Sequence, residues 1–294
     1  MNKREETIQG MVVKAYGGYF YVRDGVRLWE CASRGRFRYE KQEVLVGDRV
    51  ELAPRSKDAG VIVRVLPRYS RLTRPPVTNV DQVVLVFSLC QPEPNPGLLD
   101  RLLIAAEINQ IDPVLCFNKL DLCTIEEQKL AVRYQELYPV VLASAVSGAG
   151  LDLLRQHLQG KVSVLAGPSG VGKSTILNVL IPSLRLKTGA ISQKLKRGKH
   201  TTRHAELIVL PDGGLVADTP GFSNLDLPEM KPEALAGYFP ELDQYQGQCR
   251  FNGCLHDQEP DCAVKEAVNS GAIEPARYQQ YIDFLRELKG RRRY

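Results

Sequence analysis

Hydrophobic residues follow three different patterns along the chain. Over residues 7–66, short stretches rich in valine and aromatic residues are separated by glycine and aspartate, which predicts about five strands of a small all-β barrel or sandwich. Further on, apolar runs of strand length, such as 83–87, alternate with stretches of helical spacing, such as 98–109. This alternation predicts a mostly parallel sheet with helices on both faces. From about residue 230 the pattern becomes helical and polar.

These patterns predict three domains, although a length of 294 residues alone would favour two. We expect an all-β domain over residues 1–68, an α/β domain over residues 69–229 and a mostly helical domain over residues 230–294. The stretch 67–76 is rich in proline and arginine and is interpreted as a linker.

The longest apolar run is far shorter than the roughly 18 residues that span a bilayer, and the charged N-terminus is not followed by an apolar segment. We therefore expect a cytoplasmic protein with no membrane partner. The seven cysteines are then free thiols or metal ligands. Four of them, Cys31, Cys90, Cys116 and Cys123, are scattered along the chain.

The formal net charge of +5 is compatible with a polyanionic partner, and positive charge concentrates at residues 34–38, 194–203 and 291–293. In the first cluster Arg34, Arg36 and Arg38 lie around Phe37 and Tyr39, and basic side chains among aromatic ones fit an oligonucleotide-binding face. The alternative is a solvated strand whose rings pack inward.

Residues 167–174 match the phosphate-binding pattern G-x-x-x-x-G-K-S, between a predicted strand and a helical pattern. The glycines let backbone N–H groups turn toward phosphate oxygens, while Lys173 reaches the β- and γ-phosphates and Ser174 can bind Mg²⁺. The expected nucleotide-binding residues here are Gly167, Pro168, Ser169, Gly170, Val171, Gly172, Lys173, Ser174 and Thr175.

Asn118, Lys119 and Asp121 form the N-K-x-D motif of a guanine-reading loop, directly after a predicted strand. A carboxylate at Asp121 can accept both N–H groups of the guanine edge, a donor pair that adenine lacks. Ser144 and Ala145 resemble the supporting loop, whose backbone N–H would meet the guanine carbonyl. The alternative is an ordinary polar loop.

Asp218 and Gly221 lie in the motif D-T-P-G after another predicted strand. Asp218 is placed to orient Mg²⁺, and Gly221 to donate its N–H to the γ-phosphate. The basic stretch 194–204 is typical of a loop that orders on Mg²⁺ and γ-phosphate through a threonine hydroxyl, either Thr201 or Thr202.

Cys249, Cys254, His256 and Cys262 lie within 14 positions and offer the four donors of a closed, structural Zn²⁺ site. The alternative is a set of unligated cysteines in a helical segment.

The guanine-reading motifs precede the phosphate and switch motifs, which is the reverse of the order in common small GTPases. A circular permutation explains this order, because the same sheet can be built from another starting strand when the old termini are close in space.

The whole chain resembles the circularly permuted GTPases of small-ribosomal-subunit biogenesis, the ribosome-dependent GTPase A family. The resemblance rests on the permuted order, on G-D-R-V at residues 47–50, on G-K-H-T-T at residues 198–202 and on the Cys/His segment 249–264. It implies an N-terminal OB-fold, binding of the 30S subunit and 16S rRNA, ribosome-stimulated hydrolysis of GTP to GDP in late 30S maturation, and a monomer.

Phe222 follows Gly221, where many GTPases carry a glutamine that orients water. Because a phenyl ring cannot hold water by hydrogen bonding, we expect slow intrinsic turnover. The resemblance implies that His200 substitutes as a catalytic residue beside Lys173. The alternative is that His200 contacts only RNA or solvent.

Two rival functions remain open from the sequence. A P-loop kinase would need an acceptor site and would not need the N-K-x-D motif. A zinc-containing RNA-binding protein would hold the nucleotide as a structural ligand only.

Overall fold

The computed structural model describes residues 6–33, 43–73, 76–184, 206–218 and 227–291. Its first five strands close into a barrel in the order β1-β2-β3-β5-β4, in which β3 pairs with β5 in parallel and the other neighbours are antiparallel. This is an OB-like barrel, as the resemblance implies, and of the two architectures that the pattern predicts the barrel is the one observed. The strands are β1 (Ile8–Tyr16), β2 (Tyr19–Arg23), β3 (Leu28–Ser33), β4 (Arg49–Pro54) and β5 (Ala59–Val65).

The stretch interpreted as a linker is instead partly folded against the barrel. It contains β6 (Arg71–Thr73), which pairs with β7 (Pro76–Thr78) in a two-stranded sheet. The Arg68 guanidinium donates to both carboxylate oxygens of Asp48 at 2.6 and 2.7 Å. Asp48 is fully buried and also accepts from the Thr78 hydroxyl at 2.7 Å. A buried carboxylate is costly without such partners, so the ion pair and the hydrogen bond with Asp48 hold residues 67–73 and 76–78 against the barrel.

The central sheet has six strands in the order β10-β9-β8-β11-β13-β12, and β12, at one edge, is antiparallel while the others are parallel. Its strands are β8 (Gln82–Ser88), β9 (Asp112–Asn118), β10 (Val140–Leu142), β11 (Val162–Ala166), β12 (Leu207–Val209) and β13 (Leu215–Asp218). The helices between them are α1 (Pro96–Ile108), α2 (Lys129–Gln135), α3 (Leu151–Leu158) and α4 (Lys173–Leu180).

Side chains of β8 alternate between two cores. Val83, Leu85 and Phe87 pack with residues of α1 and α2, whereas Val84 and Val86 pack with residues of α3 and α4. All seven residues of β8 are buried, as expected for a strand covered on both faces. The predicted parallel sheet with helices on both faces is confirmed.

The C-terminal region is mostly helical, as predicted. It contains a 3₁₀ segment (Pro232–Tyr238), α5 (Pro240–Asp243), α6 (Ala263–Asn269) and α7 (Pro275–Arg291). Phe239, Phe284 and Leu285 are buried in a core that also includes Ile104 of α1. Among the described helices, none is both long and apolar enough to span a bilayer.

A buried ion cluster fastens α7 to the central domain. Arg277 of α7 is 3% exposed and forms ion pairs with Asp100 of α1 and Glu241 of α5. Asp100 also accepts a hydrogen bond from the Tyr134 hydroxyl of α2 at 2.9 Å. The Arg277 guanidinium lies over the Tyr134 ring, 5.1 Å from its centroid. Four helices are therefore joined at one guanidinium.

Candidate nucleotide and metal sites

Four of the predicted nucleotide motifs are described, and they lie at the carboxyl ends of parallel strands of the central sheet. The guanine-reading motif begins at the end of β9, the supporting loop follows β10, the phosphate loop follows β11 and Asp218 ends β13. Neighbouring strands are about 4.8 Å apart, so β9 and β11, which flank β8, are separated by about 10 Å. This separation suits a ligand with a base at one end and phosphates at the other.

The phosphate loop requires glycine at two positions because its backbone passes close to other strands. A Cβ on Gly167 would lie 2.0 Å from the carbonyl oxygen of Val86, and one on Gly172 would lie 2.3 Å from Nδ2 of Asn118. Both residues also have positive φ angles, 138° and 95°. Their backbone conformation and their surroundings therefore exclude side chains.

Lys173 is the first residue of α4, and its ammonium group turns back over the phosphate loop. The Nζ atom donates to the carbonyl oxygens of Gly167 and Pro168 at 2.8 and 2.7 Å. The positive charge is thus held beside the backbone that would surround phosphates. Ser174 and Thr175 follow in the first turn of α4, and both are partly exposed.

Asn118 connects three of these loops. Its side chain is buried, its Nδ2 donates to the carbonyl oxygen of Val171 at 2.8 Å, and its Oδ1 accepts from the backbone N–H of Ala145 at 3.0 Å. The Ala145 amide, which the sequence suggests would meet a guanine carbonyl, is therefore engaged by Asn118 here. The motif alone does not reveal this link between the base loops and the phosphate loop.

The Asp121 carboxylate is exposed at the same end of the sheet, where the strands have their carboxyl ends, and it is positioned by Ser144. The buried Ser144 hydroxyl donates to Oδ1 of Asp121 and accepts from the backbone N–H of Ser147 at 3.0 Å. Lys119 has a φ of 66°, and its Nζ donates to the carbonyl oxygen of Gln91 at 2.6 Å. These contacts hold the loop with its carboxylate facing solvent.

Several predicted residues lie outside the described part of the chain. They are Arg34, Arg36, Arg38, His200, Thr201, Thr202, Gly221, Phe222 and the basic stretch 194–204. Asp218 is described as the last residue of β13, paired with Leu165 of β11.

The four predicted metal ligands come together, with all their donor atoms within 4.8 Å of one another. The sulfurs of Cys249 and Cys262 are 3.8 Å apart, and Nδ1 of His256 is 3.5 and 3.4 Å from them. A tetrahedral Zn²⁺ with Zn–S bonds of about 2.3 Å places its sulfurs about 3.8 Å apart. The cluster of Cys249, Cys254, His256 and Cys262 is therefore compatible with a zinc site.

The protonation states of the four side chains and the hydrogen bonds that hold their loop are also compatible with metal binding. Burial lowers the pKa of His256, which keeps the imidazole neutral and able to act as a ligand. Burial is also the main cause that raises the pKa of Cys254 to about 12, so metal binding would release the proton of this thiol. Tyr278 and Tyr281 donate to the carbonyl oxygens of His256 and Leu255, both at 2.7 Å. The ligand loop is thus fixed by α7.

Two protein-family models match this chain, one over the barrel and one over the central domain. The model described as RsgA GTPase matches residues 65–228, and the model described as RsgA N-terminal domain matches residues 9–62. The chain belongs to the RsgA GTPase family. It is therefore a GTP hydrolase, and membership implies GTP, GDP and Mg²⁺ as its ligands. The resemblance stated from the sequence motifs is confirmed.

RsgA relatives match over nearly their full length. A protein of Carboxydothermus hydrogenoformans named small ribosomal subunit biogenesis GTPase RsgA is 50% identical over 285 residues, which are 96% of this chain and 98% of that protein. A protein of the same name from Moorella thermoacetica is 48% identical, over 97% of this chain and 99% of that protein.

Two solved RsgA-like structures have the same fold. The crystal structure of YjeQ from Thermotoga maritima matches with a TM-score of 0.85 and 39% identity, covering 97% of this chain and 99% of that one. The crystal structure of YloQ, described as a circularly permuted GTPase, matches with a TM-score of 0.81 and 38% identity, covering 99% of this chain and 98% of that one. The second description fits the reversed motif order of this sequence.

Proposed function

We propose that the protein is a GTPase of late 30S maturation that binds the small ribosomal subunit and its 16S rRNA in the GTP-bound state. Contact with the ribosome stimulates hydrolysis of GTP to GDP and phosphate, and the product state releases the subunit. The names of the relatives support the ribosomal role. The observation that carries the guanine assignment is the exposed Asp121 carboxylate, which the buried Ser144 hydroxyl holds on the loop after β9.

The guanine base is bound by the loops after β9 and β10. Asp121 accepts the N1–H and the exocyclic amine of guanine, and Ser144 holds the carboxylate in place. Lys119 lies beside the base on the loop with the left-handed backbone. Asn118 and Ala145 keep the two loops together.

The phosphates are bound by residues 167–175. Backbone N–H groups of the loop and the N-terminus of α4 face the phosphate oxygens, and Lys173 exchanges its carbonyl contacts for the β- and γ-phosphates. Ser174 and Asp218 would hold Mg²⁺, since a hydroxyl and a carboxylate are the hard oxygen donors that this ion prefers. Ser174 lies after β11, and Asp218 is the last residue of the adjacent strand β13. Thr201 or Thr202 adds a further oxygen, and Gly221 donates to the γ-phosphate.

Hydrolysis depends on stabilising the charge that develops on the transferred phosphoryl group, and Lys173 supplies this stabilisation. His200 orients the attacking water in place of the absent glutamine. Single-turnover rates of His200→Ala, measured with and without 30S subunits, test this role. Unchanged rates at unchanged GTP affinity would remove His200 from the mechanism.

The three proposed domains divide these tasks. Residues 1–68 form the OB-fold that contacts rRNA, residues 69–229 form the permuted GTPase domain, and residues 230–294 form the zinc domain. Cys249, Cys254, His256 and Cys262 hold one structural Zn²⁺, and the basic clusters bind rRNA phosphates. The protein acts in the cytoplasm as a monomer.

GTP hydrolysis titrated with 30S, 50S and 70S particles tests the ribosomal role. We expect marked acceleration by 30S subunits and little by 50S subunits. If no particle accelerates hydrolysis, the ribosome-stimulated function is refuted and the rival RNA-binding function is favoured. Equal affinity for ATP and GTP would favour the rival kinase function.

Asp121→Asn tests the base assignment. Because an amide offers a donor where xanthine carries a second carbonyl, the variant is expected to bind xanthosine diphosphate in preference to GDP. Loss of two charge-assisted hydrogen bonds, each worth about 1.5–3 kcal/mol, lowers GDP affinity about 100-fold or more. Asp212→Asn, in the exposed turn between β12 and β13, is the matched control. Unchanged preference for GDP in Asp121→Asn would refute the assignment.

A further inference from the structure

Two cysteines that are 33 positions apart in the sequence meet beside the guanine-reading loop. Cys90 follows β8, Cys123 follows the 3₁₀ turn Leu120–Leu122, and their sulfur atoms are 2.9 Å apart. A disulfide bond is about 2.05 Å long, so an approach of less than about 1 Å would bring the sulfurs to bonding distance. Both side chains are partly exposed. Reagents in solution can therefore reach this pair.

The thiol pair and Lys119 connect the same two chain segments. The Cys123 thiol donates to the carbonyl oxygen of Lys119 at 3.1 Å. The ammonium group of Lys119 donates to the carbonyl oxygen of Gln91, the residue after Cys90, at 2.6 Å. The Cys90 backbone N–H donates to the hydroxyl of Ser88, at the end of β8, at 3.2 Å. A bond between the sulfurs would thus tie the guanine-reading loop covalently to the segment after β8.

The other five cysteines have different surroundings. Cys31 and Cys116 are fully buried in the barrel and the central sheet, and Cys249, Cys254 and Cys262 belong to the metal cluster. Cys90 and Cys123 are therefore the partly exposed thiols outside the metal cluster.

We propose that Cys90 and Cys123 form a reversible disulfide when the protein meets a peroxide, and that this disulfide weakens guanine-nucleotide binding. The effect on binding rests on the proposed function, because it takes residues 118–121 as the base-reading loop. The formation of the bond does not depend on that assignment.

The two sulfurs have different roles in the reaction. Burial and then the neighbouring Cys90 raise the pKa of Cys123 to about 12, so Cys123 stays a neutral thiol near pH 7. Its single S–H hydrogen has two acceptors within reach, the Cys90 sulfur and the Lys119 carbonyl oxygen. Cys90 is thus the sulfur that reacts first with peroxide, and Cys123 is the one that resolves the product.

In the first step the Cys90 sulfur attacks a peroxide oxygen, the O–O bond breaks, and Cys90 becomes a sulfenic acid while one water leaves. In the second step the Cys123 sulfur attacks the sulfenic sulfur. The S–S bond forms, the S–O bond breaks, and hydroxide leaves as water with the Cys123 proton. Overall, two thiols lose two electrons and two protons, and one hydrogen peroxide is reduced to two waters.

Disulfide formation changes the support of Lys119. The Cys123 hydrogen that donates to the Lys119 carbonyl oxygen is lost, and the Cys123 sulfur moves toward Cys90. Lys119 has a left-handed backbone conformation that non-glycine residues adopt rarely and that its contacts must maintain. We therefore expect three- to tenfold weaker binding of GDP by the oxidised protein.

The experiment treats the full-length, zinc-loaded protein with hydrogen peroxide, blocks free thiols by alkylation and maps tryptic peptides by mass spectrometry. We expect peptide 72–101, which carries Cys90, to be linked to peptide 120–129, which carries Cys123. Peptide 102–119, which carries the buried Cys116, is the internal control and should remain unlinked. Binding of a fluorescent GDP analogue is then measured on the reduced, oxidised and dithiothreitol-treated protein.

Cys90→Ser and Cys123→Ser are the test variants, and Cys31→Ala is the control for loss of an unrelated thiol. The serine variants should bind GDP within twofold of the reduced parent protein and should not respond to peroxide, whereas Cys31→Ala should respond as the parent does. Dithiothreitol should restore binding by the oxidised parent.

Three results would overturn the proposal: absence of the linked peptide, a linked peptide with GDP affinity within twofold of the reduced protein, or a full peroxide response in Cys123→Ser. If the reduced protein fails to bind GDP, the proposed guanine site is refuted along with its redox control. In that case the peptide map still decides whether the disulfide forms.

Discussion

Replacing Arg277 with methionine is expected to separate α7 from the central domain. The Arg277 guanidinium is paired with Asp100 and Glu241, whose side chains are 2% and 8% exposed. It also lies over the rings of Tyr134 and Phe239, at 5.1 and 4.9 Å from their centroids. Methionine fills much of the same volume and removes the charge. The variant therefore leaves two buried carboxylates without a cation.

The expected loss of stability is large because the remaining charges are buried. Breaking a buried ion pair by removing one partner costs about 3–5 kcal/mol. With an m-value of about 2 kcal/mol/M in urea, this corresponds to a midpoint about 2 M lower. Neutralising both carboxylates as well, by Asp100→Asn and Glu241→Gln, should restore part of the loss, because polar amides cost less to bury than unpaired charges.

The loss of stability caused by Arg277→Met should depend on pH. Burial raises the pKa of Asp100, although the charge of Arg277 opposes this effect. A group with a raised folded-state pKa contributes stability that is complete below its unfolded pKa of about 3.9 and is lost as pH rises through its folded pKa. Removing Arg277 raises the folded pKa further. The difference in stability between the parent protein and Arg277→Met should therefore be smaller at pH 5 than at pH 8.

The assay is urea unfolding followed by far-ultraviolet ellipticity, with fluorescence of Trp29, the single tryptophan, as a separate signal from the barrel. We expect the helix transition to shift and the Trp29 transition to stay in place. Arg286→Met is the matched control, since Arg286 lies on the same helix in an exposed ion pair with Asp283. Such pairs contribute no more than about 1 kcal/mol. An unshifted helix transition in Arg277→Met would refute the argument.

Three further changes test the candidate sites. Gly172→Ala places a Cβ 2.3 Å from Nδ2 of Asn118 and should lower GDP affinity at least about tenfold, whereas Gly213→Ala, also at positive φ but with open surroundings, should bind GDP normally. Ser144→Ala removes the hydroxyl that holds the guanine-reading carboxylate and should weaken GDP binding about five- to tenfold; unchanged binding in a titration would contradict this role. Cys254→Ser should lose most of its zinc by elemental analysis, and full retention would exclude Cys254 as a ligand.

The fold class could be predicted because the relevant signals are local. Short stretches rich in valine and aromatic residues mark the strands of the barrel, as in β2, and continuous apolar runs mark the buried strands, as in β8. Tyr281, Phe284, Leu285 and Leu288 recur at helical spacing, and all four are buried on α7. Patterns of this kind depend only on neighbours along the chain.

The remaining features depend on partners distant in sequence. Asp48 belongs to a short G-D-R-V sequence, and nothing local shows that Arg68, 20 positions later, neutralises it. Arg277 belongs to a basic helical stretch of a kind that is usually solvated, yet its partner Asp100 is 177 positions away. The approach of Cys90 and Cys123 likewise arises only when β8 and β9 pair.

The position of Asn118 has a consequence for how the nucleotide is held as a whole. One amide side chain connects the loops after β9, β10 and β11, so a ligand that orders the base loops also prepares the phosphate loop. Such coupling is reciprocal, and each half of the ligand strengthens binding of the other by the same factor. The binding free energy of GDP should therefore be more favourable than the sum of the binding free energies measured for guanosine and for pyrophosphate separately. A change from GTP to GDP in the phosphate loop therefore also changes how tightly the base loops bind guanine, because the buried Asn118 side chain connects them.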